Sequence, residues 1–364
     1  MTPTHQCVAW GNVWRWDRQP AQPRSSLSSM VAPREQFPFM NYSQNCVKSG
    51  RFWIRKEVIV AVQTVLGSIP AHQLGVTACH EHVLWHPPDS MALEDPDLGL
   101  DSIPAAVAEL RYFKSVGGGA VVEMTTEEIG RSPLELSQIS QATSVHIIAV
   151  TGHHKEKFSA GLLEHQSVEQ IAERMIREIR EGIGDTGIRA GVIKAATSLN
   201  QATEVERRVI QAAGLAHQQT GAPVSTHTEA GTFALEQARL LLDAGVSAQK
   251  LLIGHLDRNL PRRVYFQLAE LGVFLGFDQI GKEQYWSDEE RAKLICDLIE
   301  AGYSKQILLS SDRARKSSWK VHNPQTLGLG HVLLDFIPRL RQRGVDEVTL
   351  SGILVDNPAR FLDF

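Results

Sequence analysis

The sequence predicts an α/β fold, a (β/α)8 barrel behind an irregular N-terminal extension. Three observations carry that expectation. From about Val58 onward, strand-like apolar runs alternate with amphipathic helical stretches, the pattern of repeated β-α units on a parallel sheet. Eight such units can be counted, the number that closes a barrel. Five of the runs end on a potential metal-ligand type: His80-Glu81-His82, Lys194, His227, His255 and Asp312. A barrel gathers all its strand C-termini on one face, whereas an open doubly wound sheet would not bring strands 1, 4, 5, 6 and 8 around one axis.

Taken in order, residues 1–57 hold Trp10, Trp14, Trp16 and several Gln, Arg, Ser and Pro without periodicity, so they read as irregular or disordered. A partner-binding tail is the other reading of that composition. The barrel is expected over 58–364. Its strands fall at 76–82, 120–125, 146–151, 188–194, 223–227, 251–255, 273–278 and 307–312. Helices follow near 103–115, 133–143, 167–182, 203–219, 234–245, 260–271, 288–303 and 329–343. Ala172, Met175, Ile176 and Ile179 show the helical period well. Gly117-Gly118-Gly119 and Gly245 precede strands, where a helix ends in a tight loop. A last helix is expected over 349–361.

Composition narrows the function classes. The chain has 364 residues, 43% of them hydrophobic, enough for a sizeable core. A net charge of −4 without blocks gives no reason to expect nucleic-acid binding. Cys7, Cys46, Cys79 and Cys296 are scattered, which fits a reducing compartment rather than a disulfide framework. No apolar run is long enough to span a membrane, and the N-terminus has no signal-peptide core. The expectation is a soluble cytoplasmic protein acting on a small molecule, with a homodimer as the default assembly.

His80 and His82 lie two apart on a strand, so both project from one face, the barrel interior. His-x-His alone is weak evidence, and a core or surface pair is its bland alternative. Glu81 points the other way, toward supporting groups. Lys194 ends a barrel strand, which costs free energy without a function. Burial can lower its pKa until the neutral amine adds carbon dioxide, giving a carbamate that bridges two metals. Otherwise it ion-pairs or snorkels at the barrel mouth. His227 and His255, one β-α unit apart, suggest a second metal centre beside the first. Asp312 can ligate a metal and accept a proton from bound water, or serve as a helix cap or rim carboxylate.

In order and spacing, several segments resemble the phosphotriesterase family of the amidohydrolase superfamily. They are Gly75-Val76-Thr77-Ala78-Cys79-His80-Glu81-His82, Arg189-Ala190-Gly191-Val192-Ile193-Lys194, Thr226-His227-Thr228, Gly254-His255-Leu256-Asp257, Ser311-Asp312 and Asp356-Asn357-Pro358-Ala359-Arg360-Phe361. The resemblance runs from about Val62 to Phe364 and implies two divalent metals in the barrel mouth. By it, His80, His82 and Asp312 bind the more buried metal, His227 and His255 bind the more exposed one, and a carboxylated Lys194 bridges them. Zinc is the first expectation, and manganese, cobalt or iron also accept this donor set. The implied reaction is attack by a metal-bridging hydroxide on an ester carbonyl, with Asp312 taking the proton.

Substrate choice is read from the loops. The segment Asp312-Arg313-Ala314-Arg315-Lys316-Ser317-Ser318-Trp319-Lys320 carries four cations in eight residues. Arg313, Arg315 and Lys316, with Lys282 after the seventh strand, would suit an anionic lactone, phosphorylated or carboxylated. A solvated basic loop is the alternative. After the third strand, His153 or His154 stands where several lactonases of the family have tyrosine, and His153 is the candidate substrate contact. A phosphotriesterase, an amide hydrolase and a non-catalytic metal-binding relative remain the competing readings.

Overall fold

A computed structural model describes residues 61–364. The extension expected over 1–57 lies outside the described residues. The described chain opens with an antiparallel hairpin, β1 (Ala61–Thr64) and β2 (Gly67–Pro70). Sequence reading had not anticipated it, because each strand is only four residues long and neither shows a clean alternation.

Eight parallel strands follow: β3 (Thr77–Glu81), β4 (Ala120–Glu123), β5 (His146–Gly152), β6 (Val192–Thr197), β7 (Val224–Thr228), β8 (Leu251–Ile253), β9 (Phe274–Phe277) and β10 (Ile307–Leu309). Each pairs with its neighbours in chain order. Their side chains are buried on both faces, as expected of strands covered by helices outside and packed within. The ring closes between β3 and β10 by mixed contacts. Asp312 N donates to His80 O at 3.2 Å, and His80 N donates to Ser310 Oγ at 3.1 Å. The architecture is the expected (β/α)8 barrel.

The helices form where caps and stripes coincide. Helix α1 (Asp89–Glu94) is a short insert after β3, and α2 (Ile103–Ser115) starts at Ser102, whose hydroxyl accepts from Ala105 N. Next come α3 (Pro133–Thr143), α4 (Glu156–Leu163) and α5 (Val168–Arg180). Ser167 and Gln170 build a capping box for α5, which buries Ile171, Ala172, Met175 and Ile179 on one face. Thr203 and Glu206 do the same for α6 (Glu204–Thr220). Such a cap contributes about 1 kcal/mol. The ring continues with α7 (Ala234–Asp243), α8 (Arg262–Glu270) and α9 (Asp288–Glu300). The last stretches, α10 (Ile337–Gln342), α11 (Glu347–Ser351) and α12 (Asn357–Leu362), are joined to π-helical turns at Val332–Phe336 and Gly352–Asp356. Among the described residues no helix is long and apolar enough to cross a membrane.

The core has two parts. An outer annulus packs helices on strands through residues such as Val121, Ile147, Ala149, Ile171 and Leu268. An inner plug fills the lumen with Cys79, Val122, Ile148, Val150, Val192, Leu252 and Leu308, closed from below by Val62, Leu74, Phe361 and Leu362. The plug occupies the strand starts and leaves the strand ends free for polar groups.

One irregularity positions the first two histidines. On β3 two residues lie between Ala78 and Glu81, whereas on β4 one lies between their partners Val121 and Glu123. The extra residue is a β-bulge. Ala78 faces the outer annulus and Cys79 the plug. Strict alternation from there would turn His80 outward. The bulge resets the parity, so that His80 enters the lumen beside His255, with ring centroids 4.7 Å apart.

Candidate active site

Five strand ends converge on a cavity of about 530 Å³ at the barrel mouth. Its wall includes His80, His82, Lys194, His227, His255 and Asp312. Glycine makes two of these approaches possible. Gly152 has φ +87°, and a Cβ there would lie 2.1 Å from Lys194 O. At Gly254 a Cβ would lie 2.2 Å from Thr226 O, so β7 and β8 could not come together just below His255. His255 and Asp312 themselves adopt left-handed backbone, with φ 57° and 48°. Such conformations cost about 1–3 kcal/mol each and gather at functional sites.

Donor groups of His80, His82 and Asp312 lie within 4.8 Å of one another, and so do those of His80, His255 and Asp278. His82 Nε2 is 3.6 Å from Asp312 Oδ1. The far nitrogen of His82 meets Thr125 Oγ1 at 2.8 Å, and that hydroxyl donates to Glu123 Oε1 at 2.5 Å. With its proton committed to Glu123, Thr125 accepts from His82 Nδ1–H, which leaves the Nε2 lone pair toward the cavity. His255 is held likewise, Nδ1 on Asp278 Oδ1 at 2.7 Å. His227 Nε2 turns to Glu229 Oε2 at 3.1 Å, and its ring stands 4.6 Å from that of His255.

Burial favours the neutral form of three of the histidines and of Lys194. It lowers the pKa of His80, although nearby Asp278 pulls the other way. Burial and then Lys194 hold His82 well below the usual range. Burial, with His255 next, brings His227 down to about 3. Neutral imidazole is the ligating form. Lys194 is fully buried, its Nζ donating to Met124 O at 2.9 Å, and burial lowers its pKa to about 8. Burial pushes Asp312 up, but Lys282, His255, His80 and His82 outweigh it and keep the carboxyl well below its ordinary value. Lys282 Nζ lies 2.5 Å from Asp312 Oδ2, and Gln279 Nε2 donates to the same oxygen at 3.2 Å.

The donor set fits divalent ions on an observation of its own. His80 Nδ1 and Asp278 Oδ2 are buried 3.2 Å apart as an ion-pair contact, and among the described residues neither atom has a hydrogen bond of good geometry. Buried polar atoms are rarely left so, and a bound ion is one way such a group is satisfied.

Some expected contacts are placed elsewhere. His153 is buried and faces away from the cavity, its Nδ1 3.3 Å from Glu128 Oε2. His153 N continues the ladder to Lys194 O, so its side chain points to the helix side, and His154 lines the cavity instead. Lys316 is not part of the wall, and its Nζ lies 3.9 Å from Asp101. Arg313 and Arg315 do line it, but Arg313 is only 8% exposed and Arg315 pairs with Asp95 at 2.5 Å and Asp97 at 3.6 Å. Glu81 points away from the lumen, as its sequence position suggests. It accepts from Ser310 Oγ at 2.7 Å and from the backbone of Ser311 and Arg313, both at 2.8 Å, and so locks the closing seam.

Sequence reading passed over Asp278, Glu123, Gln279 and Arg258. Asp278 had a signal, since it too ends a strand-like run on a ligand type. Glu123 gives a testable effect. Burial raises its pKa to about 7, above the unfolded value near 4.5. A raised folded pKa contributes stability that is present below the unfolded value and lost as pH rises through the folded one. In metal-free protein, Glu123→Gln is therefore expected to gain on the wild type as pH climbs from about 4.5 to about 7, read from urea midpoints across that window. A constant difference would exclude the effect.

Comparison with known proteins agrees with this geometry. The phosphotriesterase family model matches residues 60–362. A phospho-furanose lactonase of Mycoplasmopsis synoviae is 32% identical over 324 residues, covering 83% of this chain and 91% of its own length. An N-acetyltaurine hydrolase of Tetraodon nigroviridis is 32% identical over 343 residues, covering 83% and 98%. Among solved structures, the lactonase Lmo2620 of Listeria monocytogenes superposes with a TM-score of 0.79 at 32% identity, covering 83% of this chain and 98% of that one. With the barrel, the six converging side chains and a match over most of its length, the chain belongs to the phosphotriesterase family.

Proposed function

We propose that the chain is a metal-dependent hydrolase of acyl compounds, and that its substrate is an anionic lactone or related ester. The observation that carries this reading is the convergence of His80, His82, Lys194, His227, His255 and Asp312 on one cavity, with burial lowering the pKa of three of the histidines and of the lysine. His80, His82 and Asp312 would hold one divalent ion and His227 with His255 a second. Lys194, carboxylated, would bridge them. Ions bound there supply Lewis acidity and a water acidic enough to ionise near neutral pH. Zinc suits the donors best, with manganese, cobalt and iron acceptable.

The protein's own groups do the rest. Asp312 is ionised and accepts the proton of the attacking water on a carboxylate oxygen, then returns it to the leaving oxygen. Lys282 and Gln279 fix that carboxylate. Trp85, Met91, Leu98, Ile129 and Phe158 give the cavity an apolar side that limits water. Arg258, which also lines the cavity and has no ion-pair partner among the described residues, favours a negative substrate. The similar proteins support this charge, since the name of one carries a phosphate and taurine is a sulfonate.

An amide is the second reading, favoured by the N-acetyltaurine hydrolase relative. Both reactions attack an acyl carbon, and they differ in whether nitrogen or oxygen leaves. The test is metal content per chain on purified protein, paired with hydrolysis of neutral lactones, phosphorylated lactones and N-acyl sulfonates. About two ions with turnover of anionic lactones is the expected result. Turnover of the amide alone would move the assignment to the second reading. One ion or none, unrestored by metal and bicarbonate, would overturn the two-ion site.

A further inference from the structure

The cavity wall carries several cations, and their partners differ. Lys155 is paired with Glu229, Lys282 with Asp312, and Arg315 with Asp95 and Asp97. Lys194 is fully buried in the floor. Arg313 is buried behind Gly281, its Nη2 on Ile280 O at 3.4 Å. Arg258 differs from all of these. It lines the cavity, is partly exposed, and has no carboxylate within ion-pair distance among the described residues.

Its guanidinium is nevertheless held in place. The carbon Cζ sits 3.4 Å from the centroid of the Tyr285 ring, a close cation–π stack. Its Nε donates to Gln279 Oε1. The stack fixes the plane and the Nε contact fixes the rotation, while among the described residues no hydrogen bond takes up the two Nη groups. A guanidinium so held is organised to grip an oxyanion with two parallel bonds, and little side-chain freedom is left to lose on binding. Gln279 also donates to Asp312 at 3.2 Å, so a single amide lies between this fork and the carboxylate at the reacting centre.

We propose that Arg258, stacked on Tyr285, is the subsite for a carboxylate or phosphate on the non-reacting end of the substrate. It selects anionic over neutral substrates of the same ring size. The proposal rests on the acyl-hydrolase reading of the site. By this arrangement Arg315, paired at the rim, contributes less to charge selection than its place in the basic loop implies.

The test compares γ-butyrolactone, its γ-carboxylate and a pentono-1,4-lactone 5-phosphate on the metal-loaded enzyme. Arg258→Met keeps the length and removes the charge. It is expected to raise KM for both anionic lactones about 10–100-fold, the size of a charge-assisted pair, with KM for the neutral lactone within about twofold. Arg258→Lys keeps a charge without the fork and should fall between. Tyr285→Ala removes the ring that holds the guanidinium and should also raise KM for the anionic lactones selectively, by less than Arg258→Met. A loss for only one anion would identify whether phosphate or carboxylate is the natural group. Equal effects on neutral and anionic lactones, or none, would overturn the subsite. Should the wild type cleave no lactone, the reaction reading fails instead. Calorimetric binding of glycerol 3-phosphate against glycerol, in wild type and Arg258→Met, then tests the subsite without turnover. A selective loss of the phosphate ligand supports it, and unchanged binding overturns it.

Discussion

Replacing Asp312 with Asn is expected to lower kcat about 10²–10⁴-fold, the contribution of a positioned proton acceptor, while metal content stays close to the wild-type value. The substitution is well controlled by the structure. Asp312 occupies left-handed backbone at φ 48°, a region asparagine tolerates. Its N–H remains free to bond His80 O, and an amide oxygen can still face a metal. What disappears is the ionised acceptor that Lys282 and three histidines stabilise. The measurements are kcat, metal content and the thermal midpoint of the same preparation. Wild-type turnover with metal present would remove Asp312 from the proton path. Loss of metal together with turnover would make it a ligand first.

Arg291→Met is expected to destabilise the fold by about 3–5 kcal/mol, the cost of stranding buried charge. Arg291 is fully buried, with Nη1 2.7 Å from Asp288 Oδ1 and Nε 3.2 Å from Asp257 Oδ2, both carboxylates also fully buried. Its Nη2 donates to Lys282 O at 3.1 Å. The two carboxylates in turn accept from Gln279 N at 2.7 Å and Gly281 N at 2.9 Å. The chain segment 279–282 is thus gripped at three points from behind, and Gln279 and Lys282 reach forward from it to Asp312. Urea unfolding should show a lower midpoint with little change in slope. A shift under about 1 kcal/mol would mean that water or a rearranged partner replaces the guanidinium.

The barrel was legible because its signal is repeated. Eight apolar runs with turn residues between them leave few topologies, and the ligand-type strand ends follow from closure. The hairpin Ala61–Pro70 carried too little pattern to be read. Side-chain direction beyond a strand end was not legible either. Gly152, at φ +87°, ends β5, and whether His153 or His154 then faces the mouth depends on the backbone path. Charge was misjudged for a third reason. The acids that neutralise the loop after β10 are Asp95, Asp97 and Asp101, more than two hundred residues earlier, so a local count sees cations alone. Arg258 went unnoticed for the converse reason, since its stack on Tyr285 is a tertiary contact.

The extra residue between Ala78 and Glu81 has a consequence for anyone transplanting this centre. A regular designed barrel given the same six side chains at the same strand positions would alternate strictly through Cys79, send both histidines toward the helices and offer Glu81 to the lumen. The portable unit is the side chains together with one residue of surplus backbone. A scaffold without that insertion would fold and look correct in sequence, yet hold no first ligand pair.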